Sequence, residues 1–253
     1  LTNLESLRIL VSGVEDLSPL ENLTNLTELQ LAGSFNQVDL APLAGLTNLK
    51  SLELQRIGNV ASGLTAEDLS CLAGMTKLQS LRLPSMNYQA HILLDISGLS
   101  GLTELTNLEI SGDVASLEPL AGLTKLTSLR LYGNSDTAGY SSLAPLSSLT
   151  GLTDLYLNIN ERVTSLAPLA SLTNLRSLEI YINGDYNHPG LTDISPLGKL
   201  TNLQSLTLTE RGVTDISALA NLTNLQSLEI REYGNAKISD WSPVAHVPNL
   251  TKG

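Results

Sequence analysis

Apolar and polar residues alternate in a phrase that returns ten times along the chain. The phrase reads Leu-Thr-x-Leu-x-x-Leu-x-Leu/Ile, and Met replaces the opening Leu once. The copies open at Leu1, Leu23, Leu46, Met75, Leu102, Leu123, Leu149, Leu172, Leu200 and Leu222. Alternate residues of a strand face opposite sides of a sheet. We therefore predict one short strand per copy, with positions seven and nine facing inward and positions six and eight facing outward.

A second apolar cluster follows each phrase and reads Asp/Ser-Leu-Ser/Ala-Pro-Leu, as in DLSPL at Asp16 and SLAPL at Ser165. Pro in this place suits the first turn of a short helix, where its missing N–H costs nothing. A strand and a turn at this leucine spacing, repeated every 20–29 residues, indicate a leucine-rich repeat. We predict an α/β solenoid: a horseshoe with a parallel concave sheet of ten strands and short α or 3-10 turns on the convex wall. The prediction is one leucine-rich repeat domain over residues 1–253, with a partial eleventh repeat from Val247.

The ninth repeat, Leu200–Asn221, reads LTNLQSLTLTERGVTDISALAN, and the first, Leu1–Asn22, is close to it. This unit resembles the internalin-type, 22-residue class of bacterial leucine-rich repeats, which the ninth repeat fits almost residue for residue and the first nearly as well. The resemblance implies a protein-recognition module that is extracellular or on a bacterial surface and contacts a host or cell-surface receptor as an adhesin. The chain departs from the class after the strand, where an Asn that bonds neighbouring turns is expected. That Asn is present only as Asn134, Asn160 and Asn183.

The repeats vary from 21 to 29 residues, and the extra residues all fall between the strand and the Pro-containing turn. Insertions at one repeat position emerge along one rim of a solenoid, which often marks the binding face. The alternative is drift in tolerant surface loops, which cost little to lengthen. The inserted segments are Gln55–Glu67, Pro84–Leu94, Tyr132–Tyr140, Tyr181–Thr192 and Arg231–Lys237.

The seven tyrosines all fall outside the core positions of the repeat phrase. Three of them lie on or just after the strands of consecutive repeats and, at about 4.8 Å per strand, predict a patch about 10 Å across. Tyrosine beside Arg and Asn is typical of protein-recognition surfaces, although neighbouring tyrosines can also simply stack on one another. The predicted partner-binding residues are Tyr132, Tyr156, Tyr181, Arg130, Glu179, Asn158, Tyr140 and Tyr186.

Charge and composition narrow the classes of partner. The net charge is −11, and the sequence has no stripe of basic residues that could displace counterions from phosphates. A nucleic-acid partner is therefore not expected. No run reaches the ~18 apolar residues that a membrane span requires. Position eight of the phrase mixes basic and acidic residues, which suits a partner of mixed charge. The Asp residues before the second apolar cluster are interpreted as a solvated outer face that keeps a leucine-rich chain soluble.

The sequence contains no pattern of a catalytic or metal site. His91, His188 and His246 fall at unrelated repeat positions, and none has a second His or a Cys at ligand spacing. The single cysteine, Cys71, stands where other repeats have Pro and is interpreted as a wall residue. No nucleotide-binding loop or Ser-His-Asp arrangement is present. We therefore expect a binding protein without a cofactor, and not an enzyme.

Two alternatives to this leading function are compatible with the repeat. One is an intracellular scaffold or regulatory subunit, since the lack of disulfides suits the cytoplasm. The other is the repeat segment of a larger receptor or enzyme. Terminal repeats need a polar cover, so we also expect the native polypeptide to extend beyond Leu1 with a cap. At the other end, Trp241 is expected to plug the last layer partly.

Overall fold

The structure is a computed structural model that describes residues 2–10, 16–33, 39–56, 69–83, 93–133, 139–182, 191–210, 212–232 and 237–253. In these ranges, eleven strands form one sheet. They are β1 Ser6–Leu10, β2 Glu28–Gly33, β3 Ser51–Arg56, β4 Ser80–Leu83, β5 Asn107–Ser111, β6 Ser128–Tyr132, β7 Asp154–Ile159, β8 Ser177–Ile182, β9 Ser205–Glu210, β10 Ser227–Glu232 and β11 Asn249–Lys252. The fold is the predicted leucine-rich repeat horseshoe, in which each repeat contributes one strand to the concave sheet.

All neighbouring strands are parallel, and the sheet order follows the chain from β1 to β11 without a crossover. The register is the same across the ten full repeats: the seventh residue of each phrase pairs with the seventh of the next, from Leu7 opposite Leu29 to Leu206 opposite Leu228. A repeated backbone contact sets this register. In the first step the N–H groups of Thr27 and Glu28 both donate to the carbonyl oxygen of Glu5, at 2.8 and 3.1 Å.

The prediction of ten strands was one too few. The residues after Pro248 form β11, which pairs along β10. Leu250 lies opposite Leu228, the seventh residue of its phrase, so the eleventh repeat is three residues out of phase with a phrase that opens at Val247. An edge strand presents unpaired backbone groups that can accept a further parallel strand. The side-chain amide of Asn249 adds a bond to the carbonyl of Gln226 at 3.0 Å. Four residues are therefore enough to continue the sheet.

The convex wall consists of short 3-10 turns. Their bounds are Ser18–Leu20, Ala41–Gly45, Cys71–Gly74, Ser97–Leu99, Glu118–Leu120, Ala144–Ser148, Ala167–Ser171, Ser195–Lys199, Ser217–Asn221 and Ser242–Val244. Most carry Pro in the first turn, as the sequence predicts. The strands and turns enclose a core of stacked aliphatic layers in which most of the repeat leucines are fully buried. Within the described ranges, no helix is both long and apolar enough to cross a bilayer.

The Asp before each turn has a local structural role besides keeping the surface polar. Its carboxylate accepts the backbone N–H two residues later, as Asp193 does from Ser195 at 2.8 Å. This is an Asx turn, which satisfies a donor that the short turn leaves unpaired. The same bond forms at Asp16, Asp39, Asp95, Asp215 and Asp240. Ser takes the place of Asp at Ser116, Ser142 and Ser165.

A different asparagine from the one considered in the sequence joins the repeats. The third residue of the phrase donates its side-chain amide to a Thr carbonyl of the preceding repeat, as Asn174 does to Thr150 at 2.8 Å. The same contact forms at Asn25, Asn48, Asn202 and Asn224. Asn160, after β7, is buried and accepts the N–H of Arg162 at 2.9 Å. Asn134 and Asn183 lie outside the described residues.

Candidate protein-binding surface

Three tyrosines form a continuous aromatic stack across β6, β7 and β8. The ring centroids of Tyr132 and Tyr156 lie 4.3 Å apart with a tilt of 40°. Those of Tyr156 and Tyr181 lie 5.1 Å apart at 30°. All three side chains are half-buried. The predicted patch therefore exists, and its members also stack on one another, which was the alternative to binding. We call these three residues the tyrosine stack.

The register of the sheet explains how the tyrosine stack forms. Tyr156 occupies position eight of its repeat, between Arg130 on β6 and Glu179 on β8. Tyr132 and Tyr181 occupy position ten of the flanking repeats, two residues after Arg130 and Glu179. The middle ring therefore lies diagonally between the outer two. Diagonal neighbours on one sheet face are within reach of aromatic side chains.

The hydroxyl group of each outer tyrosine forms a hydrogen bond with a charged residue of its own strand. The guanidinium of Arg130 donates to the Tyr132 hydroxyl at 3.4 Å, and this bond raises the pKa of Arg130. The Tyr181 hydroxyl donates to the Glu179 carboxylate at 3.3 Å. Burial is the main cause that raises the pKa of Tyr181, and the charge of Glu179 adds to it. Burial also raises the pKa of Tyr156 to about 12. The hydroxyl groups of Tyr156 and Tyr181 therefore stay neutral at physiological pH.

Asn158 lies beside the tyrosine stack, two residues after Tyr156 on the same face of β7, and it fastens the neighbouring backbone. It pairs with Tyr181 in the sheet register. Its side-chain amide donates to the carbonyl of Gly133 at 2.8 Å, and its own carbonyl accepts the hydroxyl of Tyr140 at 2.8 Å. The predicted contact residue Asn158 thus also fastens β7 to the segment that follows β6.

The prediction of Tyr140 as a partner contact was wrong. Tyr140 is only 8% exposed and belongs to the hydrophobic core. Burial strongly raises the pKa of its hydroxyl. The sequence contained a signal for this: Tyr140 stands three residues before Leu143, as Val163 stands before Leu166 and Val213 before Ile216. Val163 and Val213 are also buried, so Tyr140 fills an aliphatic slot of the repeat.

Several predicted surface features lie outside the described residues. These include Tyr186, the further insert tyrosines Tyr88 and Tyr233, and most of each inserted segment. The prediction that the insertions line one rim beside the tyrosine stack therefore stays a prediction.

The other charges on position eight largely neutralise one another. Arg82 forms two ion pairs of 3.0 Å, one with Glu53 and one with Glu109, which lie on the strands to either side. Glu229 pairs with Arg231 of its own strand at 2.8 Å. In the parts of the chain that the structure describes, neither Arg130 nor Glu179 has an oppositely charged group at ion-pair distance.

Comparison with solved structures identifies the architecture. An internalin from Listeria monocytogenes, InlF, is 28% identical, with a TM-score of 0.64 over 99% of this chain and 80% of that one. The chain has the leucine-rich repeat architecture of an internalin. InlC2 of the same species is 25% identical with a TM-score of 0.39, over 98% of this chain and 80% of that one. InlJ, also of that species, is 17% identical with a TM-score of 0.48, over 98% and 62%. No protein-family model and no curated protein sequence matches the chain.

The described part of the surface was compared with the arrangements that catalytic and metal sites require. Among the described residues, no group of three His, Cys, Asp or Glu side chains is placed to hold a metal ion. His246 lies at the last turn of the wall and contacts the carbonyl of Leu222 at 3.1 Å. His91 and His188 lie outside the described residues. The tyrosine stack, with its two charged neighbours, is therefore the candidate site of this protein.

Proposed function

We propose that this chain is a protein-recognition module of a secreted or surface-exposed bacterial protein, and that it binds a protein receptor through its concave face at the tyrosine stack. The observation that carries the proposal is the stack itself. Three half-buried aromatic rings on adjacent strands, flanked by Arg130 and Glu179, present a large, rigid and amphipathic surface. Tyr and Arg dominate the energetics of protein interfaces.

The hydrogen bonds beside the stack also favour binding. The hydroxyl of Tyr140 and the amide of Asn158 fasten the backbone next to the rings. A partner that docks there meets side chains that are already ordered, so less entropy is lost on binding. The Tyr156 hydroxyl makes no hydrogen bond within the described part of the chain, and it is free to donate to a partner.

Site-specific photo-crosslinking tests this proposal without disturbing the tyrosines. A photoreactive amino acid replaces Thr207, which lies on the row of Tyr156 and Glu179, two strands from Tyr156. The probe is a preparation of biotinylated receptor proteins from animal cell surfaces. We expect a discrete crosslinked protein, and we expect Tyr156→Ala to reduce its yield.

The matched control places the same photoreactive group at Ala167. This residue belongs to the same repeat as Tyr156 and is exposed on the convex wall. We expect no crosslink to the same protein from this position. Equal crosslinking from both faces, or a yield that is unaffected by Tyr156→Ala, would refute binding at the concave face.

A further inference from the structure

The charged neighbours of the tyrosine stack differ from the rest of their row. Elsewhere on position eight, Arg82 is shared by two carboxylates and Glu229 is paired within its strand. Arg130 and Glu179 are each held by a tyrosine hydroxyl, and within the described ranges neither meets an opposite charge at ion-pair distance. The stack therefore has a cationic side on β6 and an anionic side on β8.

The spacing of these two charges is defined by the sheet. Arg130, Tyr156 and Glu179 are register partners on three successive strands. Two strand spacings place the two side chains about 10 Å apart. The Tyr156 ring lies between them and no ion pair joins them, although Arg130 feels the charge of Glu179 and that of Glu109, its register partner on β5. Because Arg130 and Glu179 are half-buried, the local dielectric constant is lower than in water, and each interacts more strongly with an opposite charge on a partner.

We infer that this surface selects a partner that presents an acidic and a basic group about 10 Å apart, the acidic group bound by Arg130 and the basic group bound by Glu179 over the Tyr156 ring. This inference rests on the proposed function and specifies the partner chemistry of the same site. Arg130 binds the carboxylate with its planar fork of N–H donors. The basic group gains both the Glu179 carboxylate and the negative face of an aromatic ring.

Short peptides provide a direct probe of charge preference. Three blocked tetrapeptides are titrated against the chain: Asp-Gly-Gly-Arg, Asp-Gly-Gly-Asp and Arg-Gly-Gly-Arg. Binding is followed by NMR at the ring signals of Tyr156, which report on this site and not on the net charge of −11 elsewhere. We expect the mixed-charge peptide to bind at least about threefold more tightly than either like-charge peptide.

Charge reversal moves the preference in a defined direction. In Glu179→Lys both sides are cationic, and Asp-Gly-Gly-Asp becomes the tightest ligand, with about a tenfold change in its affinity relative to the mixed peptide. In Arg130→Glu both sides are anionic, and Arg-Gly-Gly-Arg becomes the tightest. Circular dichroism confirms the fold of each variant. Glu179→Gln and Arg130→Gln carry the same test if a reversal unfolds the chain.

Two distant reversals are the matched controls. Glu5→Lys and Arg8→Glu change the net charge by the same amounts at exposed sites in the first repeat, whose strand β1 is five strands from β6. We expect both to keep the wild-type order of the peptides. An order unchanged by the reversals at residues 130 and 179, an equal change in the controls, or no binding of the mixed peptide overturns the inference. Loss of peptide selectivity with an intact crosslink refutes this inference alone, and selectivity without any crosslinked receptor refutes the proposed function alone.

Discussion

At the scale of single residues, Tyr156 is the side chain on which both the surface and its stability depend. It is half-buried between two aromatic rings at 4.3 and 5.1 Å. Aromatic pairs contribute about 0.5–1.5 kcal/mol each beyond the area they bury. The sequence alone suggests a contact residue with little effect on stability. The stacking shows that Tyr156 serves the fold as well.

Replacing Tyr156 by Ala is therefore expected to lower the free energy of unfolding by ~1–3 kcal/mol, because two ring contacts are lost. It is also expected to weaken receptor binding by ~1–4 kcal/mol. Tyr156→Phe keeps both ring contacts and is expected to stay within about 0.5 kcal/mol of wild type in stability. Urea unfolding measures the first quantity and titration calorimetry the second. A Tyr156→Phe variant as unstable as Tyr156→Ala would show that the hydroxyl, not the stack, supports the fold.

Tyr140 is expected to matter through one buried hydrogen bond. Its hydroxyl donates to the Asn158 carbonyl at 2.8 Å in the core, and such a bond contributes about 1 kcal/mol net. Tyr140→Phe should therefore lower the free energy of unfolding by about this amount. Tyr132→Phe is the control, because its 3.4 Å contact with Arg130 is long and half-exposed. Equal effects of the two substitutions in urea unfolding would contradict this account.

At the scale of elements, the aspartates of the Asx turns make the stability of the convex wall depend on pH. The hydrogen bond from the Ser195 side chain, followed by that from its N–H, lowers the pKa of Asp193. The corresponding bonds from Ser217 and Ser242 lower the pKa of Asp215 and of Asp240. A carboxyl group whose pKa is lowered by folding stabilises the folded state at a pH above its unfolded pKa, here 3.8. This stabilisation is lost as the pH falls through the lower pKa of the folded state.

We therefore expect the free energy of unfolding to fall below about pH 4. The triple variant Asp193→Ser, Asp215→Ser and Asp240→Ser should lose less stability over this range, since Ser accepts the same N–H without titrating. The chain already uses Ser in this way at Ser142 and Ser165. Urea unfolding of both proteins from pH 6 to pH 2 measures the difference. If the free energy of unfolding falls equally with pH in both proteins, these three aspartates are not the acid-sensitive groups.

At the scale of the whole molecule, stability is a property of the stack of repeats. Each layer is buried by its two neighbours, so an inner layer is covered on both sides and an end layer on one. Leu178, at position seven of the eighth repeat, is fully buried. Leu7, at the same position of the first, is only partly buried.

Leu178→Ala is accordingly expected to cost ~2–5 kcal/mol, because it leaves a cavity between two packed layers. Leu7→Ala should cost less than half as much, since less apolar area leaves water there on folding. Denaturant unfolding of the two variants compares them directly. Equal losses would show that the first layer is packed as tightly as the interior.

The sequence by itself determined the architecture, because the repeat encodes it locally. The spacing of Leu4, Leu7 and Ile9 recurs in every phrase, and the register follows since equal phrases stack on equal phrases. The same regularity allowed the cluster of Tyr132, Tyr156 and Tyr181 to be predicted from their positions. It also contained the aliphatic slot that Tyr140 fills, which could have been read from its distance to Leu143.

Only the tertiary structure decided how these side chains use their neighbours. Arg82 forms ion pairs with two carboxylates, whereas Arg130 and Glu179 each form a hydrogen bond with a tyrosine hydroxyl. Side-chain rotamers and the distances between strands decide this difference. The bracing of β7 by Asn158 depends on a backbone carbonyl in the preceding repeat. Sequence periodicity indicates which residues are neighbours, but whether two neighbours form a hydrogen bond or an ion pair depends on differences of a few tenths of an ångström in the distance between their atoms. The packed molecule alone determines them.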